Sequence, residues 1–461
     1  MTSETADIVI IGGGPGGYVA ALRAAQLGAE VVLVERDTVG GTCLNRGCIP
    51  TKALVSSVGV LDYCRNAASY GVKVGSVSPD YGRMIARKDK TVAQLVRGVE
   101  HLLRRAGVRV LTGSGSILEP GLVEMRRADG SSERVSARAI IIATGSEPAE
   151  LPELPYDGAR IINSTHALQL HEAPESLVIV GAGAVGMEFA TIFHSLGTHV
   201  TVVEMSTQVL PSEDKDIAEH LGREYRKRRI GIITDAGVQR VGEQDGESVL
   251  ELSNGEFLKA ARVLVAAGRA PNIHGIGLEE VGVAFGNDGA KVDGHMETNI
   301  RGIYAIGDVV GGWLLAHVAS KQGVIAAENI MGMPSEMDYR VVPRTVWTLP
   351  QVASVGITEE EAKRTGLAVR AGKFPFRALG MALAMGEADG FVKIVGDAGT
   401  DELLGAQMIG PDVTNLIAEV GVAMRLESTV EELALTTHAH PTLPEALMEA
   451  AQALHGQAIH A

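Results

Sequence analysis

The chain has 461 residues, a formal net charge of −15, 46% hydrophobic but only 4% aromatic residues, and 56 glycines. Such a length implies about three domains at roughly 100–200 residues each, and the acidic balance, without a Lys/Arg run, excludes wrapping nucleic acid, whose phosphates need clustered cations. MTSETADIVIIGGG carries no basic leader and no stretch of eighteen apolar residues occurs, so neither a signal peptide nor a membrane span is expected, and a cytoplasmic location is.

Residues 7–35, DIVIIGGGPGGYVAALRAAQLGAEVVLVE, read as strand, G-x-G-x-x-G turn, helix and second strand ending on Glu35. In such a βαβ unit Gly12 permits the tight turn, Gly14 lets the backbone approach a pyrophosphate, Gly17 lets helix and strand pack closely, and the acid accepts from a ribose hydroxyl. The helix N-terminus offers its unpaired N–H groups to the phosphates.

GGTCLNRGCIPTKA (40–53) follows, holding two of the three cysteines, Cys43 and Cys48, with four residues between them. In a reducing cytoplasm such spacing means metal or redox chemistry more often than a structural bridge. A structural zinc site wants four ligands, yet the only other cysteine is Cys64 and no His lies within forty residues, so no metal is expected. A disulfide closing so small a ring adds little loop entropy and is easily reduced, which suits a bond made and broken at each turnover. If the segment after Gly47 is helical despite Pro50, Lys52 shares a face with Cys48. It equally reads as a solvated helix lysine.

ARAIIIATGSEP (137–148), an apolar strand running into Thr144 and Gly145, closes the first unit, and the proline-spaced stretch 147–158 leads out of it. SLVIVGAGAVGMEFATIFHSLGTHVTVVE (176–204) then aligns with residues 7–35 without a gap at an offset of 169, so Gly181, Gly183, Gly186 and Glu204 repeat Gly12, Gly14, Gly17 and Glu35. Glu204 selects NAD over NADP, because a carboxylate repels a 2′-phosphate and the following MSTQVL offers no Arg. Glu188, on the second helix, needs a partner if buried, and Lys52 is a candidate. AARVLVAAGRAP (260–271) repeats residues 137–148 and brings Gly268 to the place of Gly145. Two dinucleotide folds, with a redox-capable thiol pair soon after the first, suggest FAD in the first and NAD in the second, electrons passing among flavin, sulfur and nicotinamide.

RGIYAIGDVVGG (301–312) delivers Asp308 to the carboxyl end of a strand, where ligands sit, or to an ordinary turn, and reads as a return to the first domain. From 343 onward, stretches such as FVKIV and TNLIAEVGVAMRLE indicate sheet plus helices. In THAHPTLPEA (437–446), His440 is biased to extended backbone by Pro441 and is either an acid–base catalyst or a satisfied histidine. Thr442 and Glu445 spell a T-x-x-E capping box with Pro444 in the first turn, which already explains Glu445 structurally. His438 points the other way along the chain and ranks lower. The expected fold class is α/β, with two Rossmann-like dinucleotide-binding domains, 1–148 for FAD and 149–272 for NAD, a segment 273–342 completing the FAD site, and a C-terminal α+β domain, 343–461.

GGTCLNRGCIPTKA, GAGAVGMEFA, AAGRAPN, YAIGD and HAHPTLPEA, in this order across nearly the whole chain, closely resemble the dihydrolipoamide dehydrogenase family, class I pyridine nucleotide-disulfide oxidoreductases that serve 2-oxoacid dehydrogenase and glycine-cleavage complexes. The resemblance implies that Cys43 and Cys48 form the redox disulfide, Cys43 exchanging with substrate and Cys48 facing the flavin, and that Lys52 lies beside the flavin, held by Glu188. It implies that Asp308 contacts the ribitol chain and that Ala316 and His317 meet the pyrimidine edge. His440, oriented by Glu445, would be the acid–base catalyst, reaching the cysteines of the other subunit. A homodimer with 343–461 as dimerisation domain follows, as do a lipoylated acyltransferase or glycine-cleavage protein as partner and oxidation of dihydrolipoamide with NAD+. Arg46, Thr51, Leu379, Met381 and Pro444 depart from the family's commonest pattern and bear on substrate access. The alternatives are another flavin-dependent disulfide reductase, of glutathione or mycothiol type, and a non-catalytic flavoprotein that only binds. Glutathione-type enzymes carry arginines where 205–210 has none, and a binding-only relative would be expected to have lost Cys43, Cys48, His440 or Glu445.

Overall fold

Ile8, Val9 and Ile10 have no exposed surface, which a strand achieves only with a neighbour on each side and cover on both faces. The strand Glu4–Ile11 pairs in parallel with Val31–Glu35 on one side and Ser132–Ile142 on the other. Arg109–Thr112 extends the sheet beyond Val31–Glu35, and Leu122–Arg126 and Ser114–Glu119 extend it antiparallel on the far side. Ile303–Ala305 joins in parallel beside the end of Ser132–Ile142, so the 301–312 segment does return to the first sheet. With consecutive strands leaving to opposite sides of Glu4–Ile11, a crevice opens at its carboxyl end, where the first glycine turn lies.

The computed structural model describes residues 4–460, and these fall into two compact units. The first comprises residues 4–54, Asp80–Ala149 and Gly268–Met337, the second Val55–Pro79, Glu150–Ala267 and residues 338–460. In the first, the helix Pro15–Gln26 packs so closely on the helix Ala316–Ile330 that a Cβ on Gly323 would stand 2.5 Å from the Gly16 carbonyl oxygen.

The second unit holds a parallel sheet in the order Gly231–Ile233, His199–Val203, Ser176–Val180, Arg262–Val265, Ile161–Ile162. It also holds an antiparallel sheet in the order Arg344–Val346, Gln351–Gly356, Leu403–Gly410, Phe391–Asp397, Val369–Pro375. Helices Val413–Arg425 and Glu445–Leu454 bury Leu416, Val420, Leu447 and Ala450 in the core over that sheet, the α+β pattern expected from residue 343. Leu379 is buried in this core and Met381 packs against it. Among the described residues no helix is long and apolar enough to cross a membrane.

Lys393 is buried in this unit, its Nζ 2.8 Å from Asp214, 3.0 Å from Glu359 and 3.1 Å from Asp216. Burial opposes its charge, but the hydrogen bonds to Asp214 and Glu359 carry its pKa above the ordinary lysine value. Removing one member of a buried ion network strands the others, which costs about 3–5 kcal/mol. Lys393→Met is accordingly expected to lower the urea-unfolding midpoint markedly, and a wild-type midpoint would show that the network contributes nothing net.

Candidate active site

The two glycine turns are superimposable in their constraints. Gly12 and Gly181 both sit at φ +107°, a conformation that side chains rarely adopt. A Cβ on Gly17 would meet the Gly12 carbonyl oxygen at 1.8 Å, and one on Gly186 would meet that of Gly181 at 2.0 Å. Gly14 and Gly183 are the N-caps of helices Pro15–Gln26 and Ala184–Ser195 and supply no side-chain cap. A Cβ on Gly183 would meet nothing within 4 Å, and one on Gly14 only the Gly41 Cα at 3.9 Å. Each helix therefore presents uncapped N–H groups to open space, the arrangement that receives a phosphate.

The acids at the ends of the second strands are also matched. Glu35 accepts from the amides of Gly13 at 2.6 Å and Asp37 at 2.8 Å, and Glu204 accepts from those of Ala182 at 2.7 Å and Ser206 at 2.8 Å. The Oε2 of each acid thus orders its glycine turn and the Oε1 the bend two residues on, and a further lone pair on each oxygen can accept from a hydroxyl.

Helices Gly41–Arg46 and Cys48–Arg65 are separated by Gly47 alone. Pro50 falls in the first turn of the second, where its missing N–H costs no intrahelical bond. Cys48 and Lys52 therefore lie one turn apart on the same helix face. Cys43 hydrogen-bonds to Cys48, and that contact, then burial, push the Cys43 thiol well above its ordinary pKa against the pull of the Lys52 charge. Arg46 turns to Asp37 at 2.7 Å, while the Thr51 hydroxyl donates to the Gly47 carbonyl at 2.6 Å; these two departures from the family pattern act as local staples of the turn. Glu188 is 4% exposed and accepts from the Trp347 amide at 2.9 Å.

Asp308 sits in the one-turn helix Gly307–Val310 and accepts from the Ser146 hydroxyl at 2.5 Å. Arg269 donates to that hydroxyl at 2.7 Å and lies 3.7 Å from the Asp308 carboxylate. Thr144 spends its hydroxyl on the Asn272 carbonyl at 2.8 Å, and Gly145 and Gly268, both at positive φ, face open space. The two copies of the repeated closing segment pair with each other, Ser146–Pro148 against Arg269–Pro271. Sequence reasoning missed Ser146 and Arg269, although both lie directly after the glycines it singled out. Ala316 and His317 open the helix Ala316–Ile330, whose N-cap Leu315 has no side-chain cap. Gln322 of that helix accepts from the Gly307 amide at 2.7 Å, tying it to the Asp308 turn.

At the other end of the chain, His440 Nδ1 donates to Glu445 Oε2 at 2.8 Å with its side chain 77% exposed. A donated Nδ1–H leaves the Nε2 lone pair as the base. Burial would raise the Glu445 pKa, but the bond from His440, the Thr442 amide and the histidine charges hold it below the ordinary carboxylate value. The capping box is only half formed. Glu445 does reach back to the Thr442 amide at 2.6 Å, but the Thr442 hydroxyl turns to the Ala439 carbonyl and Pro444 occupies the N-cap. Glu445 is thereby free to serve His440 as well.

The pyridine nucleotide-disulphide oxidoreductase family model matches residues 6–323, and its dimerisation-domain model matches residues 342–451. The chain belongs to the pyridine nucleotide-disulphide oxidoreductase family. It is an oxidoreductase of that family, whose cofactors are FAD and NAD(H), and a homodimer. A dihydrolipoyl dehydrogenase of Bacillus subtilis is 44% identical, the match covering 98% of this chain and 99% of that one. A mitochondrial dihydrolipoyl dehydrogenase of Arabidopsis thaliana is 42% identical over 99% of this chain and 92% of its own. Among solved structures, LpdA of Mycobacterium tuberculosis superposes with a TM-score of 0.91 at 32% identity, covering 97% of this chain and 99% of that one.

One grouping among the described residues could hold a metal ion: His220, Glu224 and Asp389 bring one ligand atom each within 4.8 Å of one another. Lys227 already meets Glu224 at 2.6 Å, so a cation stands there without a metal.

Proposed function

We propose that the chain is a dihydrolipoamide dehydrogenase, oxidising protein-bound dihydrolipoamide to lipoamide and reducing NAD+ to NADH. The observation that carries this reading is the Cys43–Cys48 contact beside Lys52, in a chain that also holds an outward-facing His440–Glu445 pair. The uncapped glycine turn at Gly14, with Glu35, Asp308, Ala316 and His317 around the first sheet's carboxyl end, fits FAD. The equivalent turn at Gly183 with Glu204, and no Arg in 205–210, fits NAD.

In the proposed cycle His440 of one subunit takes a proton on Nε2 from a substrate thiol, and the thiolate attacks Cys43 Sγ of the oxidised pair in the other subunit. The Cys43–Cys48 bond breaks and Cys48 leaves as thiolate, its charge faced by Lys52. The second substrate thiol attacks the mixed disulfide and displaces Cys43, which takes up that thiol's proton, so the substrate disulfide closes and the pair is left reduced by two electrons with one proton on Cys43 and one on His440. The charge of the reduced pair is assigned to Cys48, which shares a helix face with Lys52. FAD, which the turn at Gly14 with Glu35 and Asp308 would hold, would supply a two-electron acceptor for the dithiol and a hydride donor to NAD+. The substrate arm belongs to a lipoylated acyltransferase or glycine-cleavage protein, and the cycle fits a cytoplasmic enzyme.

Rapid mixing of the oxidised holoenzyme with dihydrolipoamide tests the reading. Loss of the oxidised flavin's visible absorbance within the turnover time is the expected result, and an unchanged spectrum contradicts it. The two turns can also be separated. Gly186→Ala, whose Cβ has no room, is expected to raise the KM for NAD+ by about tenfold or more, a penalty of about 1.4 kcal/mol or more, with flavin content unchanged. An unaltered KM would remove the second turn from the NAD site.

A further inference from the structure

The histidine that the sequence ranked lower is the more tightly held of the two. His438 has a side chain only 6% exposed, and both ring nitrogens are engaged. Nδ1 lies 2.9 Å from the Thr436 carbonyl oxygen, and Nε2 lies 2.7 Å from Glu419 Oε1, on the helix Val413–Arg425. A carbonyl can only accept, and so can an ionised carboxylate. An imidazole that donates to both acceptors carries a proton on each nitrogen. His440, His455 and His460 differ, each with a single ring nitrogen paired to a carboxylate.

The same segment is pinned on both sides of His440. Thr442 is tied to the Ala439 carbonyl and the Glu445 carboxylate, and Thr436 closes the helix Val430–Leu435 by donating its hydroxyl to the Glu432 carbonyl. Seven residues after His438, Glu445 feels the charge of that histidine as well as that of His440. We propose that the His438–Glu419 pair is the positioning element of the acid–base site: a buried imidazolium, fixed between two acceptors, that anchors the segment presenting His440 and sets its charge beside Glu445. The proposal rests on the reading of His440 as the base. The charged groups concerned are Glu419 from the helix Val413–Arg425, Glu445 from the helix Glu445–Leu454, and His440 itself. Arg425, at the end of the former helix, pairs with Asp338 instead, and Glu431 and Glu432 lie in the first turn of the helix Val430–Leu435, before the turn that leads to His438.

The sign of the effect follows from the charges. His438→Gln leaves Glu419 as an unbalanced anion, which favours protonated His440 and moves the acidic limb of kcat/KM for dihydrolipoamide upward, by about 0.5–1 pH unit for one charge within one or two turns. Glu419→Gln leaves the imidazolium unbalanced and moves the limb downward. The double variant exchanges a neutral pair for a neutral pair and returns the limb to the wild-type position. The profiles are measured on the holoenzyme dimer, with flavin absorbance confirming that each variant is folded. Opposite shifts with restoration in the double variant are the expected result. Both single variants moving the limb the same way, or neither moving it, overturns the proposal, because a purely structural role lowers kcat without a charge-dependent sign. If His440→Gln leaves the limb and the rate intact, the base assignment fails instead.

Discussion

Replacing Cys48 with serine is expected to abolish dihydrolipoamide-dependent reduction of NAD+, by at least about 10³-fold, as loss of a covalent-catalysis nucleophile commonly does, while the protein keeps its flavin. Without Sγ at position 48 no internal disulfide can form, so Cys43 has nothing to release when a substrate thiolate attacks. The loss is therefore of chemistry and not of fold, since Cys48 lies in the first turn of a helix whose remaining residues are unchanged. Steady-state turnover together with the visible spectrum checks this outcome. Turnover retained alongside full flavin would contradict the role given to the pair.

His440→Gln is expected to slow dihydrolipoamide oxidation by about 10²–10⁴-fold, the range for loss of a positioned general base. Reduction of the flavin by NADH, which needs no substrate thiol to be deprotonated, should proceed at the wild-type rate. Rapid mixing with each reductant in turn separates the half-reactions. The exposed ring of His440 has little packing to lose, so a fall in both half-reactions would point to a damaged fold and away from acid–base chemistry.

The parts of this molecule that were legible in sequence are those in which local chemistry leaves few choices. The glycine turns could be read because positive φ and a Cβ collision exclude other residues at Gly12, Gly17, Gly181 and Gly186. The shared face of Cys48 and Lys52 could be read because helical periodicity is local and Pro50 is tolerated in a first turn. The partners of Asp308 could not, since Ser146 and Arg269 reach it only through the pairing of two distant segments. Nor could the roles of the C-terminal histidines be ranked. Extended backbone sends alternate side chains to opposite sides, but only tertiary placement of Glu419 and Glu445 decides which imidazole is buried between acceptors and which faces outward. The capping-box pattern showed the same limit: its glutamate took the expected amide, and its threonine did not.

The central claim is that an active site needs sulfurs from one chain and an imidazole from the other. It is tested most directly by a hybrid dimer of differently tagged Cys48→Ser and His440→Gln chains, co-expressed and isolated. Each parent homodimer lacks both working sites, whereas the hybrid holds one site with an intact cysteine pair and an intact histidine if the two come from different subunits. The expected result is about half the wild-type dihydrolipoamide–NAD+ activity in the hybrid, one working site in two. A hybrid as inactive as its parents would place histidine and cysteines of each site in the same chain and contradict the account.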